Sequence, residues 1–409
     1  MSKVYKSVIV GGGAAGLLCA VELLSGKDAF SCSDVLVLER NDRVGKKLVA
    51  TGNGQCNLDN AGVSAGHYYG DREFIECFIK QYNEICPERY FYKLGIPFET
   101  DGDGRKYPLS RQASAVSDII RFCLENKNCK MLTDRKVIAL SFSDGSFRVT
   151  TEQETYRAEN VVLAVGGAAA RQFGTDGSSY VLAKGFGHRL TPLYPSLVQL
   201  KTELGPVRGL KGIKEHAKIS AFDGRKYLCS AVGDVLFTEY GVSGNAVFSV
   251  SSRVVSAKDP ILKIEFLPEK TEREICDILE YRKTLGYIDN KDALCALVNK
   301  RVGQAILKAS GDPESIQKTV SALKNFTLKV TGNTGFNNAQ VTKGGIDTRD
   351  VEYSTMESRL QKGLYITGEM LDVDGDCGGY NLAFSFVSGI TAARAIKTKY
   401  RGKDINKFW

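Results

Sequence analysis

With 409 residues, 43% hydrophobic and 25% charged, the chain has the balance of a folded globular protein of two or three domains, which excludes a disordered or fibrous polypeptide. Eleven cysteines at irregular spacing, none in a CxxC pair, and only three histidines (His67, His188, His216) argue against a metal site and for a reducing compartment. The net charge of +8, without a run of five or six like charges, fits either plain solubility or attraction to a polyanion such as RNA.

Lys3 and Lys6 precede an apolar run as in a signal peptide, but Gly11-Gly12-Gly13 interrupts it, and no stretch reaches the roughly 18 apolar residues of a membrane span. A cytoplasmic protein with no membrane partner is expected. Residues 7–10 form a β-branched run without polar alternation, as in a buried parallel strand. Gly11-Gly12-Gly13-Ala14-Ala15-Gly16 follows, then a helical stretch over 17–24 and a second strand over 34–39 that ends in Glu39. Gly11 suits a tight turn, Gly13 close contact with a pyrophosphate, and Gly16 the packing of helix on strand. Ala14 and Ala15 open the helix, whose N–H groups and dipole favour phosphate. Glu39 is placed to accept hydrogen bonds from the adenosine ribose. A lone GxGxxG is weak evidence, but this one has its strand, helix, second strand and acidic tip, so a dinucleotide is expected.

Further along, Arg40, Lys46, Lys47, Gly54 and Asn57 lie in a stretch of cations, glycines and amides suited to a pyrophosphate and a heteroaromatic ring. A β-meander is expected over 136–151 around an Asp144-Gly145 turn, beginning near Val137, followed by a buried strand over 160–167 ending in Gly166-Gly167. Residues 191–262 are rich in short strands and turns, and 268–326 read as helical, in segments 272–287, 291–309 and 313–323. Residues 363–369 read as a strand whose end, Gly368-Glu369, offers a carboxylate to ribityl hydroxyls. Asp376, Gly379, Asn381 and Leu382 then lead into an apolar helix over 382–396, whose N-terminus would favour the negative charge of a reduced flavin. Together these features select FAD. Only one GxGxxG is present, so NAD(P)H is expected as a transient electron donor without a domain of its own.

Gly45-Lys46-Lys47-Leu48 with Thr51-Gly52-Asn53-Gly54-Gln55-Cys56-Asn57 resembles the GKKLL…GGGRCN segment of the BaiN/RdsA (YhiN-like) family of FAD-dependent oxidoreductases. Gly104-Arg105-Lys106-Tyr107-Pro108 resembles that family's GRVFP, residues 190–198 and 236–244 match it as well, and Gly368 to Asn381, GEMLDVDGDCGGYN, is a nearly complete match. The departures are Asn245, where the family carries Pro, and the stretch 169–177, into which Arg171 has entered. The resemblance implies an α/β molecule: a Rossmann-type FAD domain split in sequence (1–190 and 336–409), with an inserted β-barrel-like domain (191–335) carrying a helical subdomain at about 268–326.

The chemistry implied is hydride transfer between flavin and a conjugated C=C bond. The resemblance offers a uridine of large-subunit ribosomal RNA, reduced to dihydrouridine, and a small enone such as a steroid or bile-acid intermediate. The positive charge favours the RNA, with Lys211, Lys214, Arg225 and Lys226 as phosphate contacts. A non-catalytic, flavin-binding, RNA-associated protein is a further alternative. Cys377 and Cys56 are either small residues packed on the flavin, or proton donors or redox partners of it, Cys377 with its pKa lowered by the helix N-terminus. Tyr107 is the next candidate donor. Arg105, Lys106 and Tyr107 either grip an anionic or carbonyl-bearing substrate or form a solvated turn, and His188 reads as structural.

Overall fold

Strand Val4–Val10 lies inside a seven-stranded sheet. Val35–Leu38 pairs with it in parallel on one side and Thr155–Leu163 on the other; Lys130–Leu132 lies beyond the first and Leu364–Ile366 beside the end of the second, both also parallel. All four residues of Val35–Leu38 are buried, as expected where helices cover both faces of a parallel sheet and polar alternation disappears. The structure, a computed structural model, describes residues 3–404.

Strand Thr155–Leu163 has different partners along its length: residues 155–158 pair antiparallel with Ser146–Thr151, and residues 161–163 take Leu364–Ile366. Ser146–Thr151 pairs in turn with Val137–Ser143 through a two-residue turn. Asp144 and Gly145 both have positive φ, 51° and 72°, the turn whose twist matches that of a hairpin. The sheet thus receives a strand from the C-terminal part of the chain beside its N-terminal βαβ unit.

Helix Ala14–Leu23 is buried on nearly every side. The long helix Tyr380–Asp404 crosses it at Gly389, where a Cβ would come within 2.1 Å of the Ala15 carbonyl oxygen. The two backbones touch because that position has no side chain.

The chain divides into two compact units, one running up to Leu193 and resuming at Val341, the other spanning Tyr194–Gln340; the cuts expected from sequence stand at 190 and 335. In the second unit six strands close into a barrel, in the order Leu200–Thr202, Gly241–Ser243, Lys226–Phe237, Lys214–Asp223, Pro260–Phe266 and Phe326–Asn333. Ile219, Val235, Phe237, Ile264 and Leu328 are fully buried in its core. The expected fold class holds: a parallel Rossmann-type sheet, interrupted in sequence by a barrel.

The helices of this unit differ from expectation in one place. Glu272–Leu285 starts at a Thr271/Glu274 capping box and stops where Gly286 takes φ 71°, and Ile316–Lys324 follows later. The helix expected over 291–309 begins only at Lys300. Asn299 caps it, accepting a hydrogen bond from the Arg301 N–H at 3.0 Å, and Ala296 with φ 63° breaks any continuation upstream. A polar cap in mid-segment outweighs helical composition.

Candidate active site

The glycine loop is held by backbone sterics. Gly11 has φ 107°, and a Cβ there would lie 2.3 Å from the Ala164 carbonyl oxygen; one on Gly16 would lie 1.9 Å from the Gly11 carbonyl oxygen. Gly13 differs. It caps helix Ala14–Leu23 with no side-chain hydrogen bond, and a Cβ there would meet nothing within 4 Å. The opening of this helix is therefore uncapped and faces open space, which suits a phosphate.

Glu39 is buried behind this loop. Its Oε2 accepts the Gly12 N–H at 2.8 Å, and its Oε1 accepts the Asn41 N–H and Asn41 Nδ2, both at 2.8 Å. Burial pushes the carboxyl up from its ordinary value, against the donors from Asn41 and Gly12. A carboxylate has about four acceptor sites, so three bonds leave room for a ribose hydroxyl. Val137 is buried nearby: the Arg135 N–H reaches the Glu39 carbonyl at 2.8 Å, and the Asp134 N–H reaches that of Asn41 at 2.9 Å.

Arg40, Lys46 and Lys47, the cations singled out in the following stretch, each have a carboxylate partner in the protein. Arg40 forks onto Asp176 at 3.0 and 3.1 Å and reaches the Gly174 carbonyl at 2.9 Å. Lys46 pairs with exposed Asp42 at 2.9 Å. Lys47 pairs with Glu369 at 2.6 Å, and Glu369 also accepts the Thr342 N–H at 2.9 Å. Thr342, which sequence reasoning missed, accepts the N–H groups of Ala168 and Ala169 through its hydroxyl at 2.8 and 3.0 Å, and that hydroxyl crowds Gly167. Gly166 takes φ 75° against Thr175. Gly368 takes φ 66°, donates to Ser388 at 2.9 Å, and faces the Ala15 methyl.

Around the expected ring site the backbone is held in left-handed conformations, with positive φ at Gly52, Asn53, Gly54 and Cys56. A Cβ on Gly54 would meet nothing within 4 Å. Asn57 is buried, and its Oδ1 has no hydrogen-bond partner among the described residues, a cost that an added donor would remove. Cys56 is fully buried and its thiol is pushed up to about 12 by burial.

Two expectations need correction here. Cys377 is half-buried, and its pKa is raised by burial, with Arg105 opposing and Asp376 adding to the rise, the opposite direction to the lowering expected from the helix N-terminus, since burial disfavours the thiolate. Lys106 does not face a substrate. It is 4% exposed, with its ammonium between Asp59 at 3.1 Å and Glu88 at 2.6 Å. Burial works against that charge, but the two carboxylates outweigh it. Tyr82 completes the cluster, donating to Asp59 at 2.8 Å.

Strand Arg105–Pro108 pairs with Asp59–Asn60, and alternation along it turns Arg105 and Tyr107 away from the Lys106 side. The Tyr107 ring lies 3.7 Å from where a Gly52 Cβ would sit, and the Arg105 Nε 3.8 Å from a Gly378 Cβ. Burial raises the Tyr107 phenol above its ordinary value, with Arg105 opposing. Asn60 donates to the Gly378 carbonyl at 2.9 Å. Gly379 packs against the Asp59 carbonyl, where a Cβ would come within 2.4 Å. Asn381 closes the loop on itself, bonding the N–H and the carbonyl of Gly375, both at 2.8 Å. Asp376 accepts from Tyr69 and pairs with His67 Nδ1 at 2.9 Å. Leu382 is half-buried in the first turn of helix Tyr380–Asp404. His188 is buried and bonded to Ser358 at 2.8 Å, away from this loop.

Residues 5–395 match the family described as HI0933-like protein Rossmann domain. The chain belongs to that family. This HI0933-like chain is 35% identical over 404 residues to a 3-dehydro-bile acid delta(4,6)-reductase of Clostridium scindens, covering 95% of this chain and 98% of that protein. It is 26% identical to a ribosomal RNA dihydrouridine synthase of Haemophilus influenzae, covering 97% of this chain and 99% of that protein. Among solved structures it resembles the 3-ketosteroid-delta4-(5alpha)-dehydrogenase of Rhodococcus jostii RHA1, at 15% identity and a TM-score of 0.52, over 97% of this chain and 98% of that one; that likeness speaks to fold. The BaiN/RdsA resemblance therefore stands. The chain is an oxidoreductase with the flavoprotein type of Rossmann fold, and the non-catalytic alternative is set aside.

Proposed function

We propose that this chain is an FAD-dependent reductase of a small conjugated enone of the steroid or bile-acid class. The observation that carries this is the near full-length 35% identity to a bile-acid reductase, against 26% to a ribosomal RNA dihydrouridine synthase. The order of the two substrate readings given by charge is thereby reversed. Two of the basic residues named for phosphate contact also count for less than their number: Lys211 pairs with Glu239, and Lys214 with Asp234 at 3.0 Å.

Bound FAD supplies the hydride, with NAD(P)H as the transient source of electrons. Gly13, with the N–H groups of Ala14 and Ala15, would hold the pyrophosphate, while Gly11 and Gly16, packed against backbone carbonyls, shape the loop; the remaining acceptor site of Glu39 would hold the ribose. The loops 52–57 and 376–381 hold the ring, where the unpaired Asn57 Oδ1 accepts a donor. Tyr107, whose ring lies beside Gly52 in the loop proposed to hold the flavin ring, gives the second proton, as a phenol protonated at neutral pH can. Cys377 ranks behind it, and Cys56, fully buried, drops out. No helix among the described residues is long and apolar enough to cross a membrane, and the free thiols keep the cytoplasm as the proposed compartment.

The test has two parts. Nucleotide released from the purified protein should be FAD, and Tyr107→Phe should slow reduction of an enone by about 10²-fold while leaving flavin reduction by NAD(P)H near normal. Release of FMN, or wild-type enone turnover by Tyr107→Phe, would defeat the corresponding assignment.

A further inference from the structure

Three cations, Arg105, Lys106 and Arg111, stand on or beside the strand that carries Tyr107. Lys106 is committed to Asp59 and Glu88 on the buried side. Arg111 spends its guanidinium on Glu99, at 2.6 Å, and stacks over the Tyr107 ring at 4.5 Å. Arg105 is arranged otherwise. Its side chain is 27% exposed, its acidic partner Asp103 is 68% exposed, and the pair is 3.1 Å apart. An ion pair with so open a carboxylate contributes little and exchanges readily for another oxygen ligand.

The guanidinium also has a definite place. Its Nε lies 3.8 Å from the position of a Gly378 Cβ, with the Tyr380 ring beside it at 3.6 Å from the same point. It is a positive charge felt by Tyr107, Cys377 and Tyr380, opposing the effect of burial at all three. The turn behind it is locked, with the Arg105 N–H bonded to Asp101 at 2.9 Å and the Asp101 N–H to the Arg105 carbonyl at 2.9 Å.

We propose that Arg105 grips the carbonyl oxygen of the conjugated substrate and stabilises the negative charge that develops there. This rests on the enone reading above. As hydride from the reduced flavin reaches the carbon β to the carbonyl, a C–H bond forms and the C=C pair shifts toward oxygen, giving an enolate. Two N–H groups of Arg105 hold that oxygen, as a planar fork does for an anion. The α carbon then takes the Tyr107 proton, the carbonyl re-forms, and the phenolate recovers a proton from water. The substrate gains two hydrogens and the flavin is oxidised. Arg105 acts on the charge and Tyr107 on the proton, so their losses should be separable.

The experiment uses the holoprotein and the variants Arg105→Gln, Arg105→Lys and Asp103→Asn. Each is reduced anaerobically and mixed with a conjugated keto-bile acid or with testosterone, an enone lacking a carboxylate, and reoxidation is followed by flavin absorbance. Binding of estradiol, whose phenol mimics an enolate, is measured separately on the oxidised protein by spectral titration. Arg105→Gln should slow reoxidation by both enones about 10²-fold and weaken estradiol about tenfold. Arg105→Lys, which keeps the charge but not the fork, should fall between and serves alone if the glutamine variant does not fold. Asp103→Asn should bind estradiol as well as wild type or better. Unchanged reoxidation and estradiol binding in Arg105→Gln and Arg105→Lys would overturn the assignment. Loss confined to the keto-bile acid would also overturn it, placing Arg105 on the tail carboxylate instead. A wild-type protein that reduces neither enone would fail at the enone reading itself and take this assignment with it.

Discussion

At the glycine loop, position is set by backbone against backbone. Gly11 meets the Ala164 carbonyl, Gly16 meets the Gly11 carbonyl, and Glu39 ties the loop down through the Gly12 N–H. At the loop around Gly378, position is set by side chains from segments far apart in sequence: Asn60 on the Gly378 carbonyl, His67 and Tyr69 on Asp376, and the cluster of Tyr82, Glu88, Asp59 and Lys106 beneath. The first arrangement is local and intolerant of any added atom. The second depends on the buried Lys106–Asp59 ion pair, and it carries the residues proposed to do the chemistry. The proposed binding of the dinucleotide and the proposed reduction of substrate should therefore fail in different ways.

The sharpest contrast lies within the glycine loop. Gly16→Ala puts a methyl where backbone cannot yield, and a loss on the order of 4 kcal/mol or more is expected in urea unfolding. Gly13→Ala puts the same methyl into open space, and stability should change by no more than about 0.5 kcal/mol. FAD affinity should nevertheless fall in Gly13→Ala, since the open space is assigned to the pyrophosphate. A Gly13→Ala protein with wild-type stability and wild-type FAD affinity would break the phosphate assignment.

Next in size is the buried charge cluster. Lys106→Met leaves Asp59, 2% exposed, without its cation, and about 3–5 kcal/mol should be lost. Adding Asp59→Asn should recover a good part of that, because the uncompensated charge is gone. Equal unfolding midpoints for Lys106→Met and wild type would mean that the cluster does not support this end of the site.

The legibility of the two ends follows the same division. The βαβ unit, the Asp144-Gly145 hairpin and the return of the C-terminal strand are readable because their signals are local: a strand's β-branched run, a two-residue turn, glycines at fixed offsets. The role of Lys106 is not, since strand alternation beside Arg105 and Tyr107 says only that it faces the other way, and its partners lie 47 and 18 residues upstream. Cys377 misleads for a related reason. The helix N-terminus is visible in sequence, whereas the burial that opposes it depends on segments folded over it. His67, Tyr69 and Thr342 carry no motif at all; a histidine beside the Tyr68-Tyr69 pair is the sole signal available.

A smaller effect tests the Glu39 assignment. Glu39→Gln should weaken FAD by about 1–3 kcal/mol in a fluorescence titration, with the fold retained. Since the same side chain also ties down Gly12 and Asn41, Glu39→Ala should cost more than Glu39→Gln. Unaltered FAD affinity in both would remove the ribose role.

The smallest effect is a pH dependence. Burial acts against the Asp176 charge, but Arg40 and Ser178 outweigh it and hold the carboxyl well below the ordinary aspartate value of 3.8. A group depressed in the folded state stabilises above its unfolded pKa, and that contribution is lost as pH falls from 3.8 toward the folded value. The pair is partly exposed, so the effect should stay below about 1 kcal/mol. Melting temperatures of wild type and Asp176→Asn should differ slightly at neutral pH and converge on acidification below 3.8. A gap that widens with acid would reverse the sign.

The central claim is that electrons leave the flavin for a small enone. The direct measurement mixes the anaerobically reduced holoprotein with a conjugated keto-bile acid in one arm and unmodified large-subunit ribosomal RNA in the other, following flavin reoxidation and identifying the product by mass. Rapid reoxidation by the enone, with a gain of two hydrogens and no dihydrouridine in the RNA arm, is the predicted result. Dihydrouridine formation with the enone left intact would contradict it.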